Sequence, residues 1–367
     1  MTVMWMRFRV VGIAWVVLLA AGAAVPLAQS NVIPGERWSR VAAPADAGYC
    51  AAPLDAVTAH VRTLGTTALT VVVGGRLLFD YGPQDEVTYL ASVRKSILAM
   101  MFGKYIANGT IRLDATMGEL GISDVGGLLP LEQKATVRQL LAARSGVYHE
   151  AANAACTGCG STAGDPPGPR GTVTPGSHFL YNNWDFNALG TIFEKAVGKD
   201  IYVAFDEDFA RPLQMQDYRV DAQRRARRPQ VSEHSAYHFY LSTRDMARLG
   251  LLMLRNGRWG SQRLISEEWI EEMVTPVTPV AEMNPDTMRQ GPFGYGYLWW
   301  IWDGPWNTGI YKGAYTGIGA IGQFITVLPE LDMVIAHKTR PNAKAVSRAE
   351  YLGIIAALGN ARCQMEQ

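Results

Sequence analysis

Strand-forming runs stand near both ends of this 367-residue chain and helical runs fill its middle, and this distribution narrows the folds open to it. Thr70 to Val73 and Arg76 to Phe79 flank Gly74-Gly75, a dipeptide suited to the tight turn of a β-hairpin. Towards the C-terminus, Gly294 to Trp300 returns to strand character. Gly322 to Leu328 and Met333 to His337 then form a hairpin around Pro329-Glu330-Leu331-Asp332. Between the strand-rich ends, helical patterns run from Thr136 to Ala143, from Trp184 to Val197, through Met246 to Met253 behind a Ser242/Asp245 capping box, and onward from Ser266. A last helix holds Tyr351 to Leu358. Such an order predicts an α/β (α+β) fold with one sheet whose first and last strands come from distant parts of the chain, and a helical insert between them.

The first 28 residues read as an export signal, residues 1–28: Arg7 and Arg9 make a basic start, Val10 to Ala24 an apolar run too short for a full bilayer span, and cleavage after Ala24 or Ala28 fits the small residues there. An exported protein, periplasmic or secreted, with no stable membrane insertion after cleavage is expected. A formal charge of +1, from 34 basic and 33 acidic residues, gives no reason to expect a nucleic acid or other polyanion as partner. The one basic cluster, Arg224, Arg225, Arg227 and Arg228, reads as a solvated loop. Four cysteines in an exported chain allow three disulfide connectivities; Cys50 with Cys363 and Cys156 with Cys159 is the favoured one. No second Cys pair or close His pair completes a metal site, so no metal and no cofactor are expected.

Chemistry is concentrated at Ser92-Val93-Arg94-Lys95. Val93, Ile97, Met100 and Met101 recur at helical spacing, so Ser92 opens a buried helix and Lys95, three residues on, lies on its face. A hydroxyl barely ionises at neutral pH and needs a base to become a nucleophile, which the amine can be if burial keeps it neutral. This is the one Ser-x-x-Lys in the chain, and Tyr181-Asn182-Asn183 is the one Tyr-x-Asn. There is no Gly-x-Ser-x-Gly elbow, which argues against the α/β-hydrolase fold, and no P-loop, dinucleotide fingerprint or His-Glu-x-x-His.

With these two motifs, and with Leu140 to Val147, Tyr181 to Gly190 and Ser242 to Arg248, the chain resembles the class C β-lactamase-like serine hydrolases over most of its length after the leader. That family includes β-lactamases, D,D-peptidases, D-aminopeptidases, esterases and amide-oligomer hydrolases. The resemblance implies a mainly antiparallel sheet flanked by helices, here 29–91 with 291–367, a mainly helical insert at 92–290, and an active site at the junction. It implies that Ser92 is acylated, that Lys95 takes its proton, that Tyr181, its pKa lowered by a neighbouring cation, assists transfer to the leaving group, and that Asn183 orients the substrate. The family's third motif, usually Lys-Thr-Gly or His-x-Gly, is matched to Tyr315-Thr316-Gly317, whose glycine lets a backbone N–H approach the oxyanion beside that of Ser92. Lys338-Thr339-Arg340 lacks the glycine and lies one strand too late.

Tyr in place of Lys removes a charge partner for an anionic substrate, unless Lys338, Arg340 or Asn342 supplies one. An ester or amide substrate is therefore expected ahead of a β-lactam, with a β-lactamase, a D,D-peptidase or a non-turnover penicillin-binding module as alternatives. His149 and Tyr237-His238 read as structural hydrogen-bonding groups or cleft residues, and Trp299, Trp300, Trp302 and Trp306 as core or pocket wall.

Overall fold

The computed structural model describes residues 32–152, 162–164 and 166–363; the leader at 1–28 and the Cys156–Cys159 pair lie outside the described residues. The central sheet has seven strands: β1 (Ala68–Val73), β2 (Arg76–Tyr81), β3 (Phe293–Tyr295), β4 (Trp300–Trp302), β5 (Tyr315–Gly319), β6 (Gln323–Leu328) and β7 (Met333–Lys338). Their spatial order is β3-β4-β5-β6-β7-β1-β2, antiparallel throughout. Gly74 and Gly75 turn the first hairpin with φ of 57° and 76°, values a side chain at those positions disfavours. The early strand closes on the late one, with Val71 opposite Ile335, so the sheet does join distant parts of the chain.

Helices cover both faces. Alternate residues point to opposite sides of a strand, and Phe324 and Thr326 of β6 meet Tyr351 of the last helix, α6 (Arg348–Asn360), by ring stacking at 3.9 Å and a hydroxyl pair at 2.7 Å. The α1 helix (Ala51–Arg62) lies beside α6 on that face. On the other side lie α2 (Val93–Ala107) and α4 (Thr243–Leu254), with α3 (Asn183–Val197) packed beyond α2 and α5 (Glu267–Val274) against it. A Cβ on Gly250 would stand 2.4 Å from Val334 Cγ1, which shows how closely α4 rides on β7. Because α2 and α4 pack on the sheet, the division at 92 and 290 does not follow the packing: helices from within 92–290 form one face of the sheet layer.

Local expectations hold with three changes. The Gly294 to Trp300 run is not one strand: β3 ends at Tyr295 and β4 starts at Trp300, joined by a turn in which the Gly296 N–H donates to Trp299 O at 3.0 Å. Ser242 caps α4 by accepting the Asp245 N–H, but the Asp245 carboxylate accepts the Gln216 and Asp217 N–H groups instead of closing a capping box. The arginine cluster forms an edge ribbon, Arg224–Arg228 paired with Ser232–His238, in which Arg225 is bonded to Glu194 and Asp200. Cys50 and Cys363 are bridged, which ties the start of α1 to the residues after α6.

Candidate active site

Ser92 stands at the first turn of α2, where the N–H groups of a helix have no intrahelical carbonyl to meet. Its side chain makes no capping bond, so the Oγ is not spent on the helix. The preceding residue, Ala91, is held at φ 48°, a left-handed conformation that a residue with a Cβ adopts at a cost of about 1–3 kcal/mol and that marks a turn fixed by its surroundings. The next turn of α2 is pinned by Ser96, whose hydroxyl donates to Leu298 O at 2.7 Å.

Lys95 is buried, 2% exposed, and its Nζ lies 3.1 Å from Ser92 Oγ, 2.7 Å from the Tyr181 hydroxyl and 2.8 Å from Asn183 Oδ1. One residue brings the last pair in: Asn182 caps α3 by accepting the Trp184 N–H at 3.0 Å and donates to Val147 O, which anchors the strand-to-helix junction carrying Tyr181 and Asn183. Burial holds the Lys95 pKa well below the lysine range, and the neighbouring Arg94 charge lowers it further. The Tyr181 and Phe186 rings lie 4.1 and 4.2 Å from Nζ and favour the cation. Such contacts are worth about 0.5–2 kcal/mol, however, against several for a buried charge. Burial therefore favours the neutral amine. It has two N–H groups for Asn183 and Tyr181 and a lone pair facing Ser92, the arrangement required to receive the hydroxyl proton.

Tyr181 departs from expectation. Burial raises its pKa, and this outweighs the lowering by the Ser92 hydrogen bond and by Arg94 and Arg348. With Lys95 neutral there is no ammonium beside it, so Tyr181 stays a neutral hydroxyl that can pass a proton on. Its ring packs against Phe186 at 4.8 Å and Trp300 at 5.5 Å.

The third-motif residues are not brought together at Ser92. Gly319 packs on the turn before the serine, where a Cβ would stand 2.5 Å from Leu90 O, and Gly317 packs one turn deeper, where a Cβ would stand 3.0 Å from Ser96 Oγ. Tyr315 is on the same face but four residues from Gly319, about 13 Å along the strand. It is buried against Trp299 at 5.4 Å. Thr316 points to the opposite face, bonded to Thr326 at 2.7 Å. Gly317 and Gly319 thus serve by close approach, while Tyr315 and Thr316 are core residues. The β4 ladder pairs only Ile301 with Tyr315 and Trp300 with Thr316, which leaves the 317–319 edge without a strand partner on the cleft side.

Neither substitute cation is free. Lys338 is buried with its amine on the carbonyls of Leu241, Thr88 and Glu86, its pKa brought down to about 7 by burial, and Arg340 is paired with Glu86. The sequence reading missed Arg348, the first residue of α6, whose guanidinium lies 5.1 Å from the Trp300 ring centroid. No spacing in the chain links it to Ser92; only the closure of the last helix over the sheet does. His149 has both ring nitrogens 2.8 Å from the carbonyls of Val125 and Glu150 and is structural. His238, whose ring meets Tyr89 at 5.1 Å, is held neutral down to about pH 3 by burial and then by the Arg94 charge. Of the four tryptophans only Trp300 meets Tyr181; Trp299 and Trp302 are core and Trp306 is exposed.

Among the described residues no group of His, Cys, Asp or Glu forms a metal site and no helix is long and apolar enough to cross a membrane. The Beta-lactamase family profile matches residues 54–357. No curated protein sequence matches the chain. Solved structures share its fold. A Bacillus anthracis protein described as a 6-aminohexanoate-dimer hydrolase is 21% identical, with 83% of this chain and 80% of that one covered and a TM-score of 0.60. A penicillin-binding protein homologue from Caulobacter crescentus is 16% identical, with 86% and 99% covered and a TM-score of 0.61. EstCE1, a hydrolase with promiscuous acyltransferase activity, is 14% identical, with 84% and 97% covered and a TM-score of 0.62.

Proposed function

The chain belongs to the Beta-lactamase family of serine hydrolases, and from that premise we propose that it cleaves an ester or amide through an acyl-enzyme on Ser92. The observation that carries this reading is the buried Lys95 amine 3.1 Å from Ser92 Oγ, with the Tyr181 hydroxyl 2.7 Å from the same nitrogen. Lys95 takes the Ser92 proton as Oγ bonds to the substrate carbonyl carbon. The oxyanion is held by the Ser92 N–H and an N–H of the open 317–319 edge. The proton on Lys95 passes through the Tyr181 hydroxyl to the leaving oxygen or nitrogen as that bond breaks, and water then releases the acyl group. Asn183 holds Lys95 from the far side and reaches the substrate carbonyl region.

The test is a fluorophosphonate probe followed by peptide mass spectrometry. Wild-type protein is labelled at Ser92 and Ser92→Ala is not; labelling at another residue rejects the assignment. A panel of p-nitrophenyl esters, D-amino-acid amides and nitrocefin then gives the substrate class, with a short-chain ester turned over faster than nitrocefin. A second reading has one observation in its favour: Arg348 has no carboxylate partner among the described residues and lies beside Trp300, so a substrate carboxylate would find a cation there. Preferential nitrocefin turnover that Arg348→Ala abolishes would establish that reading instead. Export is part of the proposal, supported by the Cys50–Cys363 bridge, since thiols stay reduced in the cytoplasm.

A further inference from the structure

Arg94 sits inside the Ser92-to-Lys95 turn and takes no part in the bond-making steps. It is 2% exposed; its Nη2 donates to Asn187 Oδ1 at 2.7 Å, its guanidinium carbon lies 4.3 Å from the centroid of the Tyr237 ring, and its Nη1 is buried with no hydrogen-bond partner among the described residues. Asn187 and Tyr237 are neutral, so neither cancels the charge. A guanidinium does not shed its proton in the range where proteins fold, and a buried one ordinarily needs a carboxylate to offset the loss of water. Here an amide and an aromatic face hold it in place and leave its field intact.

We propose that Arg94 is a positioning residue for the base: its uncompensated charge, clamped by Tyr237 and by Asn187, one turn along α3 from the Asn183 that holds Lys95, adds to burial in keeping that amine unprotonated beside Ser92. The inference rests on the reading of Lys95 as the proton acceptor. A like charge disfavours the protonated form of a neighbouring amine. The other titratable groups around Lys95 supply no charge that competes. Tyr181, Tyr237 and Tyr295 are held protonated by burial, Tyr89 likewise, and His238 is held neutral by burial and the same arginine. Asp185, on α3, is raised by burial and hydrogen-bonded to Ser145 at 2.6 Å, and Arg348 lies beyond Tyr181 over Trp300. The third-motif strand brings no cation to the site, because Tyr315 lies deep in the core and Lys338 and Arg340 are engaged elsewhere. Arg94 therefore provides from within the helix a positive field that no other element delivers.

A purely structural Arg94 would cross-link α2 to α3 and to the Ser232–His238 strand without affecting Lys95. The two roles separate in a titration of the full-length protein labelled with 13C at lysine Cε, with the Lys95 signal assigned by its loss in Lys95→Met. In wild-type protein Lys95 titrates below the ordinary lysine range. Arg94→Met raises its pKa by about one pH unit or more, a tenfold or larger change in the protonation equilibrium. Asn187→Asp keeps the arginine and sets a carboxylate against it; the Lys95 pKa rises here too, and this variant decides the matter if Arg94→Met does not fold. A Lys95 titration that neither Arg94→Met nor Asn187→Asp moves overturns the proposal, as does a wild-type Lys95 that titrates like a free lysine. Turnover is not needed for this measurement, so a wild-type protein that fails to react at Ser92 would reject the hydrolase reading while the titration still judged Arg94.

Discussion

A protonated amine cannot accept a proton, so on the proposed mechanism acylation of Ser92 follows the fraction of Lys95 that is neutral. Burial, then Arg94, depress the Lys95 pKa. The sign follows directly: the base form is already present below the usual lysine value of about 10.4, and the rate falls as pH drops through the depressed pKa. His238 at about 3 and His337 at about 4 titrate too low to shape the working range, and the raised Tyr181 puts no limb below about pH 10. Lys338, at about 7, is a rival for the acid limb, and it is separable because it holds the carbonyls of Leu241 and Thr88 rather than Ser92. Stopped-flow release of p-nitrophenol between pH 5 and 10 should show an acid limb that Lys338→Met retains. Lys95→Met, which keeps the volume but not the base, should lower the acylation rate by about a hundred- to ten-thousandfold and abolish the limb. A Lys95→Met enzyme with a mild loss and an unchanged limb would assign the proton transfer elsewhere.

Strand β5 explains both what could be read in the sequence and what could not. Its glycines let the backbone reach the Ser92 turn, and a Cβ at Gly319 would stand 2.5 Å from Leu90 O and 3.2 Å from Ala91 Cβ. Gly319→Ala must therefore push the turn that carries the nucleophile. A displacement of about 1 Å costs about a hundredfold in rate. Fluorophosphonate labelling of Gly319→Ala should slow by about that factor, while Gly35→Ala, whose added Cβ meets nothing within 4 Å, should label like wild type; equal rates in the two variants would remove β5 from the site. Ser92, Lys95, Tyr181 and Asn183 were legible because a helix start and a strand-to-helix junction fix them by local spacing. The hairpins at Gly74-Gly75 and Pro329-Asp332 were legible because turn chemistry is local too. Tyr315 was not: which of three consecutive residues reaches the serine depends on how far β5 slides along α2, a tertiary register that leaves no trace in composition. The same holds for Asp245, whose carboxylate finds the Gln216 and Asp217 amides in place of its own cap, and for Arg348 and Trp300, which only the closed sheet brings to Tyr181.

The site exists only when both ends of the chain are in place, because β1 pairs with β7 inside the sheet and α1 packs beside α6 on one face. The Cys50–Cys363 bridge closes this arrangement over a separation of 313 residues. By loop entropy such a link removes so much freedom from the unfolded chain that it stabilises by roughly 5 kcal/mol as an upper estimate. An unfolding entropy of about 2.1 cal/mol/K per residue over some 330 residues converts this to a Tm change of up to about 7 °C. Calorimetry of Cys50→Ser/Cys363→Ser against wild type should show a lower Tm of that order. The rate of Ser92 labelling at 25 °C should be unchanged, since no atom of the bridge is among the partners of Ser92, Lys95 or Tyr181. Added reductant should lower the Tm of wild type towards that of the double variant and leave the variant unaffected. Equal Tm values for wild type and variant under oxidising conditions would mean that the sheet pairing of β1 with β7 already fixes the two ends, and that the bridge adds nothing to stability.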